Sequence, residues 1–74
     1  MKNDEQRYSK DFYTVEAVII AIKDYRKIAT ITMREEGRYY VCSFSKCIVD
    51  PKRVVFEFNN YLIELMNSRG EETE

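Results

Sequence analysis

Ile28-Ala29-Thr30-Ile31-Thr32-Met33-Arg34-Glu35, Glu36-Gly37, then Arg38-Tyr39-Tyr40-Val41-Cys42-Ser43-Phe44: two runs of alternating apolar and polar residues meet at a glycine, the pattern of a β-hairpin. Gly37 can take the positive φ that a two-residue turn requires. With Glu36-Gly37 as the turn, Glu35 pairs with Arg38. Met33 then lies opposite Tyr40, Ile31 opposite Cys42 and Ala29 opposite Phe44 on an apolar face. Thr32, Val41, Thr30, Ser43, Arg34 and Tyr39 fall on a largely polar one. A sheet with one apolar face needs helices on that side only.

The flanking segments supply them. After Thr14, an N-cap residue with Glu16 in the first turn, Val15, Val18, Ile19, Ile22 and Tyr25 recur at helical spacing with Ala17 and Ala21 beside the stripe. This predicts a helix over 15–25. Asp50-Pro51 is a second helix start, an acceptor followed by proline at the first position. From there Val54, Val55, Phe58, Tyr61, Leu62, Leu65 and Met66 form one stripe opposed by Glu57, Asn60, Glu64 and Asn67. Arg69-Gly70 reads as the helix end, with glycine past the last turn. The expected architecture is α+β, a small two-layer sandwich of helix, β-hairpin and helix, to which Arg7 to Phe12 could add an N-terminal edge strand. The β-branched run Val15 to Ile22 leaves open a β-β-β-α alternative, with 13–23 as a third strand.

In domain terms, residues 1–11 read as a polar tail or edge strand, 12–69 as a single domain and 70–74 as a disordered acidic tail. At 74 residues, 45% of them apolar and 34% charged, the chain has the balance of a folded domain with a thin core. No run approaches a membrane span, and the polar Met1-Lys2-Asn3-Asp4-Glu5-Gln6 start is unlike a signal peptide, so the expected location is cytoplasmic. There is no histidine, and two cysteines fall short of a four-ligand zinc site. The chain is expected to be no enzyme and to carry no cofactor and no metal.

Phe12-Tyr13-Thr14-Val15-Glu16-Ala17-Val18 at the first helix start, the hairpin behind it, and Phe56-Glu57-Phe58-Asn59-Asn60-Tyr61-Leu62 leading to Ser68-Arg69 resemble HxsD, the small protein of bacterial His-Xaa-Ser systems. The resemblance covers most of 7–69 and rests on an aromatic-Ser/Thr-x-Glu-Ala helix start and an Asn-containing last helix with a late arginine. This chain departs from the pattern at Leu65-Met66-Asn67, where the family has an acidic stretch. The resemblance implies an accessory protein that accompanies radical-SAM enzymes modifying a repeat-bearing peptide, and it carries over no catalytic residues.

Three constellations remain. Cys42 and Cys47 are spaced C-x4-C, neither a redox pair nor half a zinc ribbon. An extended strand would hold them roughly 16 Å apart, so two free thiols are expected, Cys42 in the core and Cys47 a plain packed or exposed thiol, although Lys46 beside it could favour a thiolate. Residues 23–53 carry eight basic against four acidic side chains, a balance of +4, and the rest carry four against nine, −5, giving −1 overall. Arg34, Arg38, Tyr39 and Lys46 on this hairpin form the nucleic-acid alternative: a small regulator with arginines on phosphates and a ring on bases. With −1 net charge and only Tyr39 outward, it is the weaker alternative. Last, Ile20 projects among Glu16, Lys23 and Asp24, and Phe56 and Ile63 lie off the core stripe of the last helix beside uncharged Asn60 and Asn67. These five residues form the candidate partner surface of a non-catalytic binding or adaptor protein that engages a protein or peptide, or a second copy of itself in a homo-oligomer.

Overall fold

A computed structural model describes residues 4–71, with side chains described through Asn67. The order is β1 (Asp4–Ser9), α1 (Val15–Tyr25), β2 (Thr30–Glu36), β3 (Tyr39–Ser45) and α2 (Pro51–Glu71). The fold is α+β. Segment 15–25 is helical, which removes the β-β-β-α alternative. No described helix is long and apolar enough to cross a membrane.

The sheet order is β1-β3-β2, with both pairings antiparallel. β1 and β2 therefore run the same way on either side of β3, and α1 is the crossover between them. The edge strand expected over Arg7 to Phe12 lies instead over Asp4–Ser9, so most of the segment read as a polar tail is sheet. Strand ends there because the Ser9 carbonyl accepts from the Phe12 and Tyr13 amides (3.1 and 3.0 Å), which closes a turn. The charged side chains of Asp4, Glu5, Arg7 and Lys10 suit an edge strand with one face in water.

The hairpin register differs from the expected one by two residues. Glu36 pairs with Tyr39, Glu35 with Tyr40, Met33 with Cys42 and Ile31 with Phe44. The turn is Gly37-Arg38, with Gly37 at φ 57° and no positive φ at Arg38, the pattern of a II′ turn with glycine first rather than second. A slip of two residues preserves side-chain parity, so each residue keeps its predicted face.

Both helices start as their caps dictate. The Thr14 hydroxyl accepts from the Ala17 amide at 3.2 Å, and an Asp50 carboxylate oxygen accepts from the Lys52 amide at 3.1 Å. The predicted end at Gly70 is overturned, since α2 runs on through Gly70 to Glu71; the expected tail residues 72–74, like 1–3, lie outside the described residues.

The core forms between the helices and the inner sheet face. Phe58 stands at its centre, with ring centroids 5.1 Å from Phe44, 5.5 Å from Tyr25 and 6.0 Å from Tyr8. Val54 and Leu62 flank it on α2 and are as fully buried, in agreement with the predicted stripe. On α1 the buried face differs from the expected one. Ala17, Val18 and Ala21 are fully buried, whereas Val15 and Ile19 are exposed. The inner sheet face already carries the bulk of Tyr8, Tyr40 and Phe44, so α1 seats its smallest side chains against the core and turns two β-branched ones outward.

Candidate interaction surfaces

Of the residues of the nucleic-acid alternative, Arg34 and Tyr39 lie on the outer face of the sheet, Arg38 in the hairpin turn and Lys46 past the end of β3. Arg34, on edge strand β2, reaches across β3, with Nε 2.6 Å from Glu36 and Nη1 3.2 Å from Glu5. The Ser43 hydroxyl donates to the same Glu5 at 3.2 Å. Arg7 reaches Glu36 at 3.6 Å. These pairs link β1 to β2 across β3, and beneath them Val41 is fully buried although it lies on the face opposite the core; the arginine stems cover it. Arg34 holds the Glu5 carboxyl below the usual carboxylate range. Arg38 is 3.8 Å from Asp11, and Lys10 pairs with Glu35 at 2.9 Å.

Of the four residues named for nucleic-acid contact, then, both arginines face carboxylates of this chain. Asp11 and Glu5 come from the acidic half of the sequence, brought onto the basic hairpin by β1. Tyr39 is outward and exposed, as the register predicts, and Lys46 is exposed just past the strand end.

Lys46 adopts φ 51°, a left-handed turn that ends β3 and swings Cys47 back against the core edge. The two cysteines are nevertheless both free, Cys42 buried and Cys47 half-buried. Cys47 shows no thiolate bias from Lys46. Desolvation, and then the Asp4 carboxylate, push this thiol up rather than down, because Lys46 turns to solvent while β1 brings an acid close. Burial pushes Cys42 up to about 11. In native protein at neutral pH, iodoacetamide should label Cys47 slowly, faster as pH rises, and should reach Cys42 only on unfolding. Equal labelling of both thiols in folded protein would contradict this burial. No group of three or more metal-ligating side chains occurs among the described residues.

The remaining surface is apolar. Phe56 is 66% exposed, Ile63 48% and Ile20 42%, with Asn60 and Asn67 exposed beside the first two. The structure does not bring all five together. Tyr61, whose hydroxyl donates to Asp24 and whose ring packs on Tyr25, marks the side of α2 that meets α1. At 100° per residue, Phe56 and Ile63 lie about 140° and 160° round from it. They sit on the outer side of α2, toward β1, where Asn59 accepts from the Tyr8 hydroxyl at 2.6 Å. Ile20 belongs to α1 and not to that patch.

A second apolar flank was not predicted. Val15 and Ile19 lie about 180° and 140° round α1 from Asp24, on the side away from α2, and Phe12, 74% exposed, precedes them in the turn. The sequence signal for it was the Ala17/Ala21 pair, which marks the closely seated side and so places Val15 and Ile19 outside. The helix pair therefore carries an apolar flank on each outer side.

No protein-family model, no curated protein and no solved structure matches this chain.

Proposed function

We propose that this chain is a non-catalytic adaptor, a small cytoplasmic domain that engages a protein or peptide partner through its helix flanks. The observation that carries this is the pair of apolar flanks, Phe56 with Ile63 on one side and Phe12, Val15 and Ile19 on the other, each holding large side chains in water at a cost of about 25 cal/mol per Å² of apolar surface left unburied. A domain with two such sides is suited to joining two proteins. The resemblance to HxsD supports a partner among radical-SAM enzymes or their peptide substrates. A binding domain of this kind performs no chemistry of its own and uses no cofactor; it positions what it holds.

The test is site-specific photo-cross-linking in the native host. A photoreactive residue at Phe56 or Ile19 should trap a discrete protein, and one at Lys52, on the exposed first turn of α2, should trap none. The same protein should show no salt-sensitive affinity for nucleic-acid oligomers, because Arg34 and Arg38 are already matched by carboxylates. Trapping that does not distinguish Lys52 from the apolar positions, or binding to oligomers that falls steeply with salt, would overturn the adaptor reading.

A further inference from the structure

We propose that β1 is a homodimerisation strand: two copies pair antiparallel about Gln6, which joins their sheets into one of six strands and packs the Phe56–Ile63 flanks of the two α2 helices together. This rests on the reading of that flank as a binding surface and names its occupant as a second copy of the chain.

The backbone supplies the first argument. The Lys10 amide donates to the Arg38 carbonyl at 2.9 Å, in register with the β1–β3 ladder. Backbone direction alternates along a strand, so Asp4, Gln6 and Tyr8 point their amides and carbonyls at β3, while those of Glu5, Arg7 and Ser9 point away from the sheet. The Ser9 carbonyl is taken up by the turn. Glu5 and Arg7 are left as a short unpaired edge with two donors and two acceptors.

Charge supplies the second argument. A two-fold axis perpendicular to the sheet keeps both layers of helices on one side, and it requires paired residues to share a face. With the axis at Gln6, Glu5 of each copy lies opposite Arg7 of the other, and both residues direct their backbone groups across the junction. The pair is opposite in charge and is formed twice. Glu5 keeps Arg34 and Ser43 as its own-chain partners and Arg7 keeps Glu36. These contacts lie over β3, and the β1 edge beyond remains open to an added strand.

The spacing of the layers fits the same pairing. Phe58 touches both Tyr8 on β1 and Phe44 on β3, so α2 sits above the seam between these strands. Strands lie about 4.8 Å apart. The α2 axis is then roughly 5 Å from the two-fold axis and the two α2 helices roughly 10 Å apart, close to the 8–10 Å of packed helices. The side of α2 turned to that axis is the one bearing Asn59, Ile63 and Phe56.

The test is the solution mass by sedimentation equilibrium, with charge exchange as its specific arm. Wild type should have the mass of two chains. Glu5→Lys and Arg7→Glu, each folded by circular dichroism, should each fall to one chain, since every junction pair then has like charges. Mixed in equal amounts, they should return to two chains, because each pair is again one acid and one base. A Phe56→Asp, Ile63→Asp double variant should also run as one chain. A wild type of one-chain mass at its highest soluble concentration overturns the proposal. So does a dimer that the charge variants leave intact, or one that their mixture does not restore. If wild type is a single chain but cross-linking at Phe56 traps another protein, the adaptor reading survives and the dimer fails; a charge-dependent dimer whose flanks trap only itself reverses that outcome.

Discussion

Phe58→Ala is expected to lower the stability of the fold by about 3–5 kcal/mol and its melting temperature by more than about 12 °C. The magnitude follows from position. Phe58 has no exposed surface and packs against Phe44, Tyr25 and Tyr8, which come from β3, α1 and β1, so one truncation opens a cavity bordered by three further elements. Edge-to-face ring contacts add about 0.5–1.5 kcal/mol beyond area burial. In so small a domain that loss is a large share of the total. Thermal unfolding by circular dichroism checks it, and a variant melting within a few degrees of wild type would mean that Phe58 is not central.

The second large effect is expected at Ala21. Ala21→Leu places three more heavy atoms where the α1 backbone comes close to the core and where nothing is left exposed. Overpacking of this kind costs about 1–3 kcal/mol. Ile19→Gln, on the outward side of the same helix, should cost under about 1 kcal/mol. The stripe read from spacing alone, with Ile19 inward and Ala21 beside it, predicts the reverse order. Urea midpoints of the two variants therefore determine which face of α1 is buried.

That contrast shows where spacing was informative and where it was not. Caps and periodicity placed α1 over the observed 15–25 and α2 from Pro51, because Thr14 and Asp50 satisfy backbone donors locally and need no tertiary partner. The buried face of α1 was not legible in the same way. Val15, Ile19 and Ala21 are all apolar, and the choice among them depends on how much room the aromatic inner face of the sheet leaves. β1 is only half legible: Asp4 to Ser9 has too few apolar residues to announce a strand, and its pairing comes from the central β3, about thirty to forty residues away in the chain. The hairpin register failed by two residues because glycine suits either central position of the turn, while parity left the face assignment intact. Among the candidate surfaces, Phe56 and Ile63 were found by their angle alone. Ile20 does not join them; a helical wheel does not say on which side the second helix packs.

The ion pairs above Val41 bear on how this molecule looks from a distance. Residues 23–53 carry a local excess of positive charge along the chain, yet Arg34 and Arg38 meet Glu5 and Asp11, which the fold draws in from another segment. Opposite charges 3 to 4 Å apart form dipoles and quadrupoles whose fields fade much faster than that of a lone charge. With salt at physiological strength, about 8 Å of solution suffices to screen most of what remains. An approaching polyanion is thus offered little steering by the hairpin until it is nearly in contact, and it arrives by unsteered diffusion.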